Sequence, residues 1–392
     1  MTNIRFVDRP PRELKYDHGS DELALEAKDV ETVAEIFRTP LTGSYTWDYE
    51  LSDERIRKLY RLGKERNWNA EIDIDWSRPL GGEGPYIDGM ADPYEGWEPR
   101  ERLTDAESLD FVWHQQSWLM SQFLHGEQGA LLVASQLVSC APTYDAKLYA
   151  ASQTFDEARH VEVFNKYIME RIGFMYPVNT HLKSLLDKIL TDERWDLKFI
   201  GMQLVIESLA LAAFHTQRMI SNDPVLIDVI DLVTRDESRH VAFGVTYMEE
   251  FVKSLSASER EERAMFAYEA CCVMRERIVA TDVFEHFGWD VAEARRRTLA
   301  GEVMQQFRNL LFTRIIPNLK KVGLLTDSVR PLYEELGVLQ YENLVDDGAI
   351  DWAKLEEPVA YGRESRRAPL RSERVRSAPR PSGVAERLAV GK

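Results

Sequence analysis

Two hexapeptides, Asp156-Glu157-Ala158-Arg159-His160-Val161 and Asp236-Glu237-Ser238-Arg239-His240-Val241, each place a carboxylate and an imidazole three residues apart, and they recur at an offset of 80 residues. On a helix such a pair shares a face. Thirty residues before each motif glutamate stands another glutamate, Glu127 and Glu207. Glu127, Glu157, His160, Glu207, Glu237 and His240 therefore form two equivalent half-sites. A lone Glu from each of two helices, with a Glu-x-x-His from each of two others, is the ligand set of a dinuclear iron or manganese centre in a helical bundle. Carboxylate oxygens and imidazole nitrogens suit Fe, Mn or Zn and match thiophilic metals poorly. Two redox metals side by side can deliver two electrons together to O₂, leaving the protein to control access and exclusion.

The elements that must position these residues are legible in the punctuation. Pro142 lies midway between Glu127 and Glu157, and Asn222, Asp223 and Pro224 lie midway between Glu207 and Glu237. If each midpoint is a turn, the chain runs about 15 residues up and 15 down, about 20 Å each way, and returns both glutamates of a half to one height. The lone glutamates fall on apolar stripes: Leu109, Val112, Gln116, Met120, Phe123, Ala130, Ala134 and Leu137 flank Glu127, while Ile200, Leu204, Leu211 and Phe214 flank Glu207. A carboxylate on a core-facing stripe is costly unless it is paired or holds a metal.

The expected fold class is all-α, a four-helix bundle over 104–254 with flanking helices. The first bundle helix begins at Thr104, with Glu107 completing a capping box, and runs to Cys140. The second spans Thr143 to about Gly173, and the third Asp192 to Ile220 after a short helix near His181 to Leu190. Asp223 and Pro224 open the fourth as cap and first-turn proline. Within 255–354 a fifth helix opens at Ser256 or Ser258, and a sixth runs from Asp290 to about Ile316, ended by Pro317. Residues 1–103, with helical stretches at Asp29–Phe37 and Ser52–Arg66 among Pro, Gly and aromatic residues, are expected to wrap the bundle, and Trp68, Trp76 and Trp97 are candidates to cover it. The segment 355–392 is Arg- and Pro-rich. From Arg363 to Lys392 it carries nine basic and three acidic residues, a composition expected to be disordered.

At the six metal-ligating positions and their neighbours, over about residues 104 to 254, the sequence resembles the ferritin-like di-iron carboxylate superfamily, in its O₂-activating oxygenase and oxidase branch. The resemblance implies that Glu157 and Glu237 bridge the metals, that Glu127 and Glu207 are terminal ligands, and that His160 and His240 each hold one metal. It implies an Fe/Fe pair, with Mn/Fe as the alternative. Asp156 and Asp236 match carboxylates that orient the histidines, with Arg159 and Arg239 as their ion-pair partners; metal-bound histidines need such support in general. His215, eight residues after Glu207 on a similar side of the helix, is a further residue to locate.

Three positions depart from relatives within that superfamily. Phe164 stands where radical-generating reductase subunits carry a tyrosine, Val233 where aryl-amine N-oxygenases carry an additional histidine ligand, and Leu211 where many bacterial hydroxylases carry a threonine. The subfamily is left open by these residues. Apolar side chains one or two turns from the ligands, Phe123, Leu131, Phe164, Leu211, Phe214 and Phe243, are candidates to line a substrate pocket. The function expected is therefore a di-iron, O₂-activating oxidoreductase, a monooxygenase of hydroxylase or N-oxygenase type acting on an apolar or aromatic small molecule. The alternatives are a ferroxidase or iron-handling protein, and a desaturase or oxidase of the same superfamily. A storage cage has no evident use for the long aromatic-rich N-terminal segment, and the acidic body is a poor dock for an acidic acyl carrier.

Composition narrows the partners. Hydrophobic residues make up 44% and charged residues 29%, ordinary values for a globular chain, and no run of 18 apolar residues exists, so no membrane span is expected. A formal charge of −17 argues against nucleic acid. The N-terminus lacks a secretory signal, and Cys140, Cys271 and Cys272 fit no disulfide or metal-thiolate spacing, so the cytoplasm is expected. O₂, a small organic substrate and an electron-donor reductase or ferredoxin are the expected partners. A homodimer is a further candidate, as is a nanocompartment shell, since Gly383–Lys392 resembles short packing peptides of some ferritin-like proteins.

Overall fold

The computed structural model describes residues 5–6, 37–47, 49–50 and 53–351. The expectations for Asp29–Val30 onward to position 36 and for 355–392, including the shell peptide, lie outside the described residues. Helix α1 (Glu54–Glu65) is capped by Asp53. Helices α2 (Asp105–Cys140) and α3 (Tyr144–Tyr167) form the first hairpin of the bundle. α4 (Thr180–Thr191) connects to α5 (Trp195–Ile220), and α6 (Pro224–Val252) completes the second hairpin. α7 (Ala257–Glu276), α8 (Thr281–His286), α9 (Val291–Ala300) and α10 (Glu302–Val322) follow.

The helix ends follow local chemistry. Thr104 and Glu107 form the reciprocal capping box, as do Ser256 and Glu259, each cap contributing about 1 kcal/mol. Asp223 accepts from Val225 N with Pro224 in the first turn. α3 continues through a π-helical turn, Ile168–Ile172, to Gly173, whose φ of 88° closes the helix in the left-handed region. At the end of α4, the buried Lys198 ammonium donates to the carbonyls of Ile189 (2.8 Å), Leu190 (3.3 Å) and Asp192 (2.9 Å). A cation there satisfies the orphan carbonyls of a helix C-terminus.

The expected sixth helix is two helices, and Pro317 does not end the second. The break falls at Gly301, where an added Cβ would lie 3.0 Å from Pro93 Cβ and 3.2 Å from the Thr298 carbonyl oxygen. α10 instead runs through Pro317 to Val322. A mid-helix proline costs about 3 kcal/mol. Burial of Leu311, Phe312, Ile315, Ile316 and Leu319 along the same face offsets it.

α5 is apolar and long enough to cross a bilayer, but 94% of its apolar window is buried within the fold. It is the central helix of the core. Close approach of α6 to it depends on Gly244, where a Cβ would sit 2.5 Å from Gln203 Cβ. The Gly244→Ala protein is therefore expected to be destabilised by about 1–3 kcal/mol, read as a lower urea midpoint, because both contacting atoms are tied to backbone. An unchanged midpoint would show that the helices can part there at no cost.

The N-terminal segment lies along the bundle. Gly81 N and Ile87 N donate to the carbonyls of Asn222 and Ile220, Asn222 N donates to Pro85, and Arg78 pairs with Asp228 at 2.9 Å. A second apolar cluster joins Tyr94, Phe111, Trp118 and Tyr176 to Val283, Phe284 and Trp289. Trp97 packs on Trp289 in that cluster, away from the six candidate ligands.

Candidate metal centre

Four helices bring the six residues to one place: Glu127 from α2, Glu157 and His160 from α3, Glu207 from α5, Glu237 and His240 from α6. All six are buried. Potential donor atoms of Glu127, Glu157, His160 and Glu237 lie within 4.8 Å of one another, and so do those of Glu157, Glu207, Glu237 and His240. Glu157 and Glu237 belong to both groups, so the arrangement is two overlapping sites. Glu207 immediately follows a π-helical stretch of α5, Ile200–Ile206, a distortion often found where a helix side chain must be re-aimed.

The donor set fits a pair of cations. His160 Nδ1 lies 3.2 Å from Glu127, 3.1 Å from Glu157 and 3.0 Å from Glu237. His240 Nδ1 lies 3.1 Å from Glu157 and 3.2 Å from Glu207. One imidazole N–H can donate to only one of these oxygens, and Glu237 Oε1 is fully buried without a hydrogen bond. Each histidine turns its other nitrogen to an aspartate of the opposite hairpin: His160 Nε2 to Asp236 and His240 Nε2 to Asp156, both at 3.2 Å. An aspartate there keeps the proton on Nε2 and leaves the Nδ1 lone pair facing the carboxylates, as metal coordination requires.

Residues 50–323 match the family described as p-aminobenzoate N-oxygenase AurF. The chain belongs to this family. It is a ferritin-like, non-haem di-iron oxidoreductase that activates O₂ and acts on an organic substrate. The match supplies the subfamily that Phe164, Val233 and Leu211 left open. Among solved structures the fold is similar to an R2-like ligand-binding oxidase with an aerobically reconstituted metal cofactor, at 20% identity and a TM-score of 0.46, over 70% of this chain and 95% of that one. A single-substitution variant of such an oxidase with a Mn/Fe cofactor matches at 20% identity and a TM-score of 0.44, over 71% and 94%. No curated protein matches the chain.

Around the six residues of this AurF-family chain runs a layer of paired charges. Asp236 Oδ2 accepts from Arg159 (3.0 Å) and from the Trp68 indole (2.7 Å), while Oδ1 takes Arg239. Asp156 pairs with Arg159, which also donates to Asn67 and to the Trp68 carbonyl. The Trp68 ring stacks on His160 at 6.2 Å and lies under the Arg159 guanidinium at 4.8 Å. Of the three tryptophans considered, Trp68 is thus the one that meets the centre. Gln153, one turn before Glu157, donates to Glu157 (3.0 Å) and Glu207 (2.9 Å), and Gln203, one turn before Glu207, donates to Gln153 at 3.4 Å. Sequence reading missed both glutamines, although their equal spacing from a motif glutamate and a lone glutamate was visible.

Without cations the cluster holds protons. Burial and the neighbouring Glu237 charge push Glu127 up to about 8, and they push Glu207 well above the carboxylate range. Burial opposes ionisation of Glu157 as well, but His240 and the hydrogen bonds to both imidazoles hold it low. Burial pulls both histidines down, yet the surrounding carboxylates outweigh it and raise them well above their ordinary value. Divalent cations would replace these shared protons.

A void of about 20 Å³, room for about one molecule the size of water, touches Glu127, Glu207 and Glu237. Phe123 and Phe214 line it, and Phe164 packs on both, with ring centroids 5.6 and 5.7 Å away. Leu131, Leu211 and Phe243 do not. Phe243 instead packs on Tyr149, with ring centroids 4.3 Å apart and the planes tilted by 39°, and Leu131 is only half-buried, because residues at the same height diverge around the helix axis. Gln122, Gly126, Met202, Ile206, Ala210 and Arg277 also line it, unforeseen. His215 is exposed beside Arg218 and Arg314, away from the centre. A larger cavity of about 950 Å³ lies next door, floored by Phe111, Trp118, Leu119 and Phe284 with Tyr86, Gln115 and Gln217 as polar points. Arg277 and Phe214 line the small void while their chain neighbours Ile278 and Ala213 line the large cavity, so the two lie close together in the fold.

Proposed function

We propose that the chain is a monooxygenase of an aromatic small molecule, with the nitrogen of an aryl amine as the reacting atom. The observation that carries this reading is the pair of overlapping donor clusters sharing Glu157 and Glu237 against a void lined by Phe123 and Phe214. Glu157 and Glu237 would bridge the metals, Glu127 and His160 would complete one half, and Glu207 and His240 the other. When bound, the metal pair supplies the electrons that split O₂, one oxygen atom passing to the substrate and the other to water.

The chain's own residues set the conditions for that transfer. Asp156 and Asp236 orient the imidazoles, and their pairing with Arg159 and Arg239 keeps the surrounding layer neutral. The void beside the centre, narrowed by Phe123 and Phe214, is too small to admit bulk water to the reacting face. The adjoining cavity has the volume of a small-molecule site and offers the substrate its approach. Val233, buried on α6, offers no donor where N-oxygenase relatives are expected to add a histidine, so in this chain the six residues are the full set we assign. Phe164 removes an oxidisable tyrosine from the same neighbourhood. An external reductase or ferredoxin would return the two electrons consumed in each cycle, in the cytoplasm, and assembly as a homodimer is compatible with this role.

The test is turnover of iron-reconstituted, chemically reduced protein with ¹⁸O₂ and a panel of aryl amines and matched methylarenes. Mass spectrometry should find ¹⁸O in the amine products, with one O₂ consumed per product. Oxidation of many ferrous ions per chain into a mineral, with no organic product, would assign the protein to iron handling instead.

A further inference from the structure

At the end of the bundle where α2 turns into α3, aromatic side chains stand in solvent. Tyr45, Trp47 and Tyr49 alternate along one segment and are 85, 74 and 62% exposed. The segment is tied to the turn: Ser44 N donates to the Ser139 carbonyl at 3.0 Å, Thr46 Oγ1 to the Pro142 carbonyl at 3.4 Å, and the Tyr49 ring meets Tyr144 edge-on at 5.3 Å. Tyr45 and Trp47 stack face to face at 5.0 Å. A cavity of about 440 Å³ opens at the same turn, with Pro142 in its wall. Three rings, Trp195, Tyr247 and Phe251, and three carboxylates, Asp53, Asp145 and Glu250, line it, and among the described residues no lysine or arginine does. An exposed aromatic patch of this kind marks an interaction site.

Asp351, the last described residue, lies close by. Its carboxylate pairs with Lys58 on α1 at 2.6 Å, and Lys58 is five residues, about 8 Å of helix rise, from Asp53. Residues 363–392 carry a formal +6 of a chain whose total is −17, leaving −23 on the rest, and 363–381 alone hold seven arginines and three prolines against two acidic residues. A flexible linker of the twelve residues from Asp351 to Arg363 has a reach of about 20 Å. We propose that residues 363–381 of the same chain dock on this face, arginines entering the cavity and prolines lying on Tyr45 and Trp47. Arginine fits both kinds of lining, because its guanidinium takes a carboxylate through two hydrogen bonds and stacks on aromatic faces. Extended proline-bearing segments dock on aromatic surfaces at low entropic cost. The tether supplies an effective concentration on the order of millimolar, so weak contacts suffice. Arg55 and Lys253 already reach Asp53 (3.6 Å) and Glu250 (3.0 Å) from outside the lining, but both cations are about half exposed, where an ion pair is worth little and is readily shared. The face is about 15–18 Å along the helices from the metal centre, since Glu250 follows His240 by ten residues while Asp145 and Trp195 precede Glu157 and Glu207 by twelve. Docking there leaves the six candidate ligands untouched.

The test follows tryptic cleavage after the arginines of 363–381 in the iron-loaded full chain by mass spectrometry, with a synthetic peptide of the same sequence as the reference. The segment in the parent should be cut at least fivefold more slowly than the peptide, equally at every protein dilution. Added salt, which screens exposed carboxylates, should remove most of that protection when the peptide is measured at the same salt. Trp47→Ser and Glu250→Lys should each raise the cleavage rate at least threefold, while metal content and unfolding temperature stay near the parent's because both side chains are exposed and remote from the ligands. Peptide-like cleavage in the parent would overturn the proposal, as would protection that both variants retain. Protection that fades on dilution, with a matching dimer-to-monomer shift in sedimentation, would place the segment on a second copy and overturn docking within one chain.

Discussion

Iron-reconstituted Glu157→Ala and Glu237→Ala proteins are expected to lose most of their metal, against about two equivalents in the parent. These two glutamates belong to both donor groups, so removing either one breaks both halves at once. Glu127 and Glu207 each belong to one group, and their alanine variants should keep more of the second metal. The loss at the shared positions should exceed the roughly 10- to 100-fold that substitutions behind a ligand cost. The metal-free variants should also be less stable than the parent, because Glu157 and Glu237 are held ionised by the imidazoles they touch, and deleting either leaves buried His160 and His240 short of a counter-charge. Elemental analysis with circular dichroism reads both quantities. Parent-like stoichiometry in either shared-position variant would remove Glu157 or Glu237 from the centre.

Asp236→Ala should be the most destabilising single change around the centre, by about 3–5 kcal/mol, since it leaves buried cations without their counter-charge. One carboxylate receives Trp68, Arg159 and His160 on Oδ2 and Arg239 on Oδ1. Asp156 holds Arg159 and His240, with Arg239 3.9 Å from its Oδ2, and no indole. Asp156→Ala should therefore cost less, even though both aspartates occupy the same place in the repeat. The milder Asp156→Asn and Asp236→Asn changes should weaken metal binding by roughly 10- to 100-fold without unfolding the bundle. Urea titration of the metal-free proteins and metal competition with a chelator separate the two effects. Identical midpoints for the two alanine variants would mean that Trp68 and the second guanidinium add nothing at Asp236.

Much of the centre could be read from order along the chain because its determinants are local. A Glu-x-x-His repeat, a glutamate thirty residues earlier and a turn signal midway are all statements about helix rise, and helix rise is nearly invariant. The caps at Thr104, Ser256 and Asp223 are equally local, since a side chain there bonds a backbone N–H only two or three residues on. The candidate site residues and the bundle class were visible for that reason.

What the sequence could not decide is azimuth and partnership across the fold. In the regular helix that starts at Glu207, Ala210 and Phe214 fall on the side of Glu207 that faces the void and Leu211 falls on the other side, a choice set by packing against the neighbouring helices. Pro317 read as a stop and is carried inside α10, because tertiary burial outweighs one lost hydrogen bond, while Gly301 breaks the run through contact with distant Pro93. Trp68 meets Asp236 across 168 positions, and Arg277 reaches a void whose other walls begin at Gln122. The chain's own order determined which residues are candidate ligands and the helices that carry them, through spacing. Only packing decided which side chains meet them, because a contact across the fold depends on every neighbour that three dimensions bring or withhold.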